Sequence, residues 1–141
     1  MFTKDKALRV SIIYPWMIAI LDLVRGFLHT FNINWANATF AQMEPNPDSL
    51  MMLGAFGISN ILTGILYILI LRKARHLTPH VLTIIPFSYI AGNVGLKLQN
   101  VQADSAFYGK YMMLVYLGLC ILFAVNYWIS EFMDKKRAIK H

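Results

Sequence analysis

The chain has 141 residues, of which 57% are hydrophobic and only 14% charged, with a net charge of +6 and a mean hydropathy of +0.52. That length gives one domain, and so little charge excludes an ordinary water-soluble globule, which averages nearer a quarter charged residues. The basic excess does not mark a nucleic-acid binder, because the lysines and arginines lie in short clusters at the ends of apolar runs and no nucleic-acid module accompanies them.

Taken in chain order, the first predicted element is a membrane span near residues 9–31. It is apolar from Val10 to Leu21 and again toward Phe31, and is interrupted by Asp22, Arg25 and His29. Offsets of three and seven residues put these three side chains on one helix face. Ionisable groups at membrane depth are costly and normally face a partner, a cavity or a functional site. Ala36-Asn37-Ala38 resembles a signal-peptidase site, but the interrupted apolar core before it argues for a retained signal anchor.

The segment Phe31–Ser49 is the longest connection. Its middle, Asn34–Met43, carries Trp35, Phe40 and Met43 and predicts a short interfacial helix, closed by Pro45-Asn46-Pro47-Asp48. Asn37-Ala38-Thr39 matches the N-glycosylation triplet, which has meaning only in a eukaryotic secretory pathway.

Three further spans are predicted near 50–71, 79–98 and 107–131. Uncharged runs cover Leu50–Leu71, Val81–Leu96 and Tyr111–Ser130, against the roughly 20 residues that a spanning helix needs. Pro79, Pro86, Gly92 and Gly95 interrupt the third. The turns at Arg72–Thr78 and Gln99–Ala106 are short. Tyr14, Trp16, Trp35, Tyr108, Tyr111, Tyr127 and Trp128 fall mostly near span ends, where amphipathic rings favour the headgroup zone.

The expected fold is therefore an all-α integral membrane protein, a single four-helix domain over 1–141 arranged up-down-up-down. Lys4, Lys6 and Arg9 precede the first span, Arg72, Lys73 and Arg75 follow the second, and Lys135, Lys136, Arg137 and Lys140 form the tail. Only Lys97 and Lys110 lie on the other side, so the positive-inside rule places both termini in the cytoplasm. The basic clusters act as topology determinants with some attraction for anionic lipid.

With that orientation Asp22 and Arg25 lie in the outer half of the first span and His29 near its outer surface. Asn60 lies about 15 Å below the outer end of the second span at 1.5 Å per residue. Asn93, Lys97 and Asn100 share a face toward the outer end of the third, and Gly57, Asn60 and Gly64 share one on the second, where small residues let helices approach. Asp22, Arg25, His29, Asn60, Asn93 and Lys97 thus form a candidate polar cluster. Two readings of it stand. The leading one pairs Asp22 with Arg25 or Lys97 to fix helix register; the other opens an outward-facing pocket with Arg25 and Lys97 as positive groups and Asp22 as acid, base or counter-ion. Asn60 and Asn93 are read first as interhelical hydrogen-bonding residues.

No cofactor is expected. His29 lies at the opposite end of the bundle from His76, His80 and His141, which defeats a bis-histidine haem, and His76 and His80 lack neighbouring carboxylates for a metal. Cys120 is the only cysteine, so no disulfide, redox pair or zinc site is available.

Asp22-x-x-Arg25-Gly26, Leu53-Gly54-Ala55-Phe56-Gly57, and Thr63-Gly64-Ile65-Leu66-Tyr67 followed by Arg72-Lys73-Ala74-Arg75 resemble the DoxX-like group of small four-helix bacterial membrane proteins. The resemblance covers the first three helices and carries over no catalytic residue. It implies an accessory role beside a membrane oxidoreductase such as a quinol oxidase, in a bacterial inner membrane. The leading expectation is a non-catalytic subunit of a membrane complex, working with other membrane subunits or as a homo-oligomer, with a quinone or lipid as candidate ligand and no nucleic acid. The alternative is a small-molecule binder, enzyme or carrier using the polar pocket.

Overall fold

The computed structural model describes residues 4–100 and 109–139, and of residues 4–7, 109, 110 and 138 the backbone only. Five helices follow one another: α1 (Lys4–Phe31), the single turn α2 (Ile33–Ala36), α3 (Pro47–Lys73), α4 (Thr78–Leu98) and α5 (Gly109–Ala138). Four helical stretches are long and apolar enough to cross a membrane: Leu8–Phe31, Pro47–Lys73, Arg75–Leu98, which adds a short 3-10 turn before α4, and Tyr111–Arg137. The predicted start of the fourth span, with Tyr108 and most of the 99–106 loop, falls outside the described residues.

The connection after α1 is more ordered than a plain loop. α2 runs directly into a π turn at Asn37–Ala41, which ends where Gln42 takes a left-handed conformation with φ 51°. Asn37 closes this unit with both ends of its amide: Nδ2 donates to the Met43 carbonyl and Oδ1 accepts from the Met43 amide, each at 3.0 Å. Asn37 is buried and its nitrogen is committed to the fold, so the glycosylation triplet is not free to carry a glycan.

α3 starts sharply for local reasons. Asn46 caps it by accepting from the Ser49 amide at 2.8 Å, and Pro47 occupies the first turn, where its missing N–H costs nothing. Arg72 and Lys73 lie in its last turn, where positive charge suits the helix dipole, and the Arg75 Nε donates back to the Leu71 carbonyl at 2.9 Å. Pro79 occupies the first turn of α4. Pro86 and the glycines that follow do not break that helix, which is continuous to Leu98. α5 extends beyond the expected end at 131. Its last turns are polar and carry ion pairs between Glu131 and Lys135 at 3.3 Å and between Asp134 and Arg137 at 3.8 Å.

α1 is the hub of the packing, with α3, α4 and α5 all against it. An apolar core gathers Tyr14 and Ile18 of α1, Leu82 and Ile85 of α4, and Cys120 and Ala124 of α5. Tyr14 departs from the interfacial expectation. Its ring stacks on Phe123 with centroids 5.0 Å apart and its hydroxyl donates to the Tyr116 carbonyl at 2.8 Å. Tyr127 is likewise buried.

Glycines set the α1–α3 contact. A Cβ on Gly26 would lie 2.7 Å from the Gly57 carbonyl oxygen, and one on Gly64 would lie 3.0 Å from the Ala19 carbonyl oxygen. The two backbones therefore touch, as small residues allow between apolar helices. The second half of α4 is the reverse case: every residue from Phe87 to Leu98 is exposed, and among the described residues a Cβ on Gly92 or Gly95 would meet nothing within 4 Å.

Candidate functional site

One helical turn beyond the apolar core, the four long helices line a partly open cavity of about 200 Å³. α1 contributes Asp22 and Arg25 to its wall and α3 contributes Asn60. The reason is periodic. On α1 Tyr14 and Ile18 face the core, and the same stripe continued by four and seven residues reaches Asp22 and Arg25. On α3 the close approach at Gly57 and Gly64 brackets Asn60 and holds it against α1.

Asp22 is buried and Arg25 half-buried, yet they do not close on each other. Among the described residues no ion pair within 4 Å joins Asp22 to Arg25 or to Lys97. The Arg25 guanidinium instead lies over the Phe56 ring, 5.4 Å from its centroid, in a cation–π arrangement. Around the two charges the wall is rich in hydroxyls: Ser59 and Thr63 from α3, Ser88 from α4, and the phenols of Tyr67, Tyr89 and Tyr116. The Tyr67 and Tyr116 hydroxyls are 3.3 Å apart, joining α3 to α5, and Tyr89 meets Tyr116 edge-on at 6.5 Å between centroids.

Thr63 has its own carbonyls at Ser59 and Asn60 within 2.9 and 3.0 Å, and its hydroxyl also bears on Asp22. Its single proton serves one of these acceptors at a time. Asn60 is buried, and its Nδ2 has no hydrogen-bond acceptor, where a bridge between helices is the usual use of such a residue. An unmatched buried amide donor costs about 1–3 kcal/mol.

The remaining residues of the predicted cluster lie elsewhere. His29 is buried between α1 and α3, with its ring 5.7 Å from Phe56, its Cβ against Gly57 and its Nδ1 without a partner; it does not line the cavity. Asn93 and Lys97 are exposed on the unpacked half of α4. Asn93 borders a second space, an open and mainly apolar groove of about 710 Å³ between α4 and α5, and Lys97 borders neither. The structure thus brings Asp22, Arg25 and Asn60 to one cavity; His29 shares the Phe56 ring with Arg25 without lining that cavity, and Asn93 and Lys97 do not reach it. The hydroxyl-bearing residues went unnoticed in the sequence, although Ser59, Thr63 and Tyr67, spaced by four, mark a stripe on one face of α3.

Among the described residues no three His, Cys, Asp or Glu side chains converge as a metal site would require. What the cavity offers is one anionic acceptor, one cationic donor and a ring of groups that both donate and accept. Such a lining suits recognition of a small polar group.

The fold and this lining define a multi-pass helical membrane protein with a polar chamber between its helices. Compared with protein-family models, curated proteins and solved structures, the chain matches none of them.

Proposed function

We propose that this protein binds a small molecule, or the polar head of a larger one, in the chamber between its four helices. The observation that carries the reading is the open relation of Asp22 and Arg25: two opposite charges on one helix face are both turned to a cavity and not closed into a pair. Two charges at membrane depth would lower their cost by pairing. Leaving them apart makes sense where a ligand supplies the missing partners, and the unmatched Asn60 amide adds one more donor.

The orientation proposed with it has both termini and the 72–78 turn in the cytoplasm, in an up-down-up-down bundle. Support comes from the basic residues and from the order of residues along the interior. α1 and α4 pass from the apolar core to the cavity with rising residue number, α3 and α5 with falling number. The membrane proposed is a bacterial inner membrane.

A second reading makes the protein a non-catalytic subunit of a larger membrane assembly, in keeping with the DoxX-like pattern. The observation favouring it is the second half of α4, whose Gly92 and Gly95 face nothing within 4 Å and leave room for a neighbouring helix.

Native mass spectrometry of the protein released from mild detergent tests the binding reading. The wild-type protein is expected to carry an added mass that Asp22→Asn and Asn60→Leu lose while keeping their folded charge-state distribution. If folded variants retain the same adducts as wild type, the chamber is not the binding site.

A further inference from the structure

The cavity and the α4–α5 groove are not separate features. Ser88, Tyr89 and Met113 line both, so the polar chamber and an apolar groove on the outside of the bundle adjoin along these three residues. We propose that this groove is a lateral entrance from the bilayer, and that the ligand is a single-chain amphiphile with a small, uncharged, hydroxyl-bearing head. The proposal rests on the chamber being a binding site and names what it takes.

The two linings are ordered as such a molecule would require. At about 30 Å³ per water molecule the chamber holds roughly six or seven waters, enough for a compact head and too little for a long chain. The groove is larger, and Leu96, Leu114 and Leu117 give it the apolar surface that a hydrocarbon chain needs. Gly92 keeps its floor low, with nothing within 4 Å of where a Cβ would stand.

The charges select the head. Asp22 and Arg25 cancel, so an anionic head would be drawn to one and repelled by the other. A neutral head with at least one hydroxyl donates to the Asp22 carboxylate and accepts from Arg25 or from the Asn60 amide, which is itself more than nine-tenths buried and lacks an acceptor. The apolar chain then stays in the groove, continuous with the lipid around it.

The test uses the full chain in nanodiscs of dioleoylphosphatidylcholine, with monooleoylglycerol carrying a diazirine midway along its acyl chain as the probe. Photolabelling of the wild-type protein should saturate, map to α4 and α5 around residues 88–96 and 111–117, and be displaced by unlabelled monooleoylglycerol. Gly92→Leu fills the groove at a position with free space, and Leu114→Trp is a second obstruction. Each should weaken apparent affinity about ten-fold or more, and so should Asp22→Leu or Asn60→Leu. If the groove variants bind as wild type while the chamber variants lose affinity, the entrance is wrong and the chamber reading survives. If labelling is indifferent to both chamber variants, the groove holds ordinary lipid and both readings fall.

Discussion

Gly26 of α1 and Gly57 of α3 lie backbone to backbone: a Cβ on the first would stand 2.7 Å from the carbonyl oxygen of the second, and a Cβ on the second 3.0 Å from that of the first. This contact brings α1 and α3 close beside the cavity that Asp22 and Asn60 both line. At Gly26 two of the three nearest obstacles, the Gly57 carbonyl oxygen and the Ile61 amide nitrogen, are backbone atoms, which cannot turn aside as a flexible side chain could.

Gly26→Ala should therefore destabilise the protein by about 1–3 kcal/mol, the usual cost of overpacking a close contact. Gly92→Ala, facing open space, should be neutral or slightly stabilising, since alanine favours helix over glycine by about 1 kcal/mol. Thermal unfolding of both variants in one detergent makes the comparison. Equal midpoints would mean that the α1–α3 contact is not as close as described.

Tyr14 separates packing from hydrogen bonding. Tyr14→Phe keeps the ring against Phe123 and loses the bond to the Tyr116 carbonyl, and should cost about 1 kcal/mol. Tyr14→Ala removes both and should cost about 3–5 kcal/mol, as large-to-small changes at buried aromatic positions do. An inexpensive Tyr14→Ala would place the ring in the headgroup zone after all.

Asn37 should govern local order between α1 and α3. Asn37→Ala removes both bonds to Met43, and hydrogen exchange at the Met43 amide should then accelerate while the long helices keep their protection. Unchanged exchange at Met43 would contradict the closed turn.

Orientation is open to cysteine labelling, because Cys120 is buried and makes a quiet background. Gln42→Cys and His76→Cys both place the thiol at an exposed position. In intact cells a membrane-impermeant maleimide should label the first and reach the second only after permeabilisation. The reverse pattern would invert the proposed topology.

The four spans were legible in the sequence because apolar length and flanking charge are one-dimensional signals; the expected start at 50 fell short of Pro47, where Asn46 caps α3. Asp22, Arg25 and Asn60 could be placed at one depth by counting residues. Depth does not say which neighbour a helix face meets, however. Asn93 and Lys97 share a face of α4, but both stand exposed there among the described residues, so their level in the membrane did not bring them to Asp22. His29 shares a face with Asp22 and lies two turns further along, where α1 and α3 are too close to leave a cavity. The lining tyrosines were hidden for a different reason. Tyrosine is common at membrane interfaces, and only the spacing of Ser59, Thr63 and Tyr67 distinguishes a polar stripe from scattered interfacial rings.

The most direct test of whether Asp22 and Arg25 face a chamber or fasten the helix is a double-mutant cycle. Unfolding free energies are measured in detergent for wild type, Asp22→Asn, Arg25→Gln and the double variant. Charges one turn apart that act only through space should give a coupling energy of about 1 kcal/mol or less, whereas coupling above about 3 kcal/mol would show a structural ion pair closed by direct hydrogen bonds and contradict the open site.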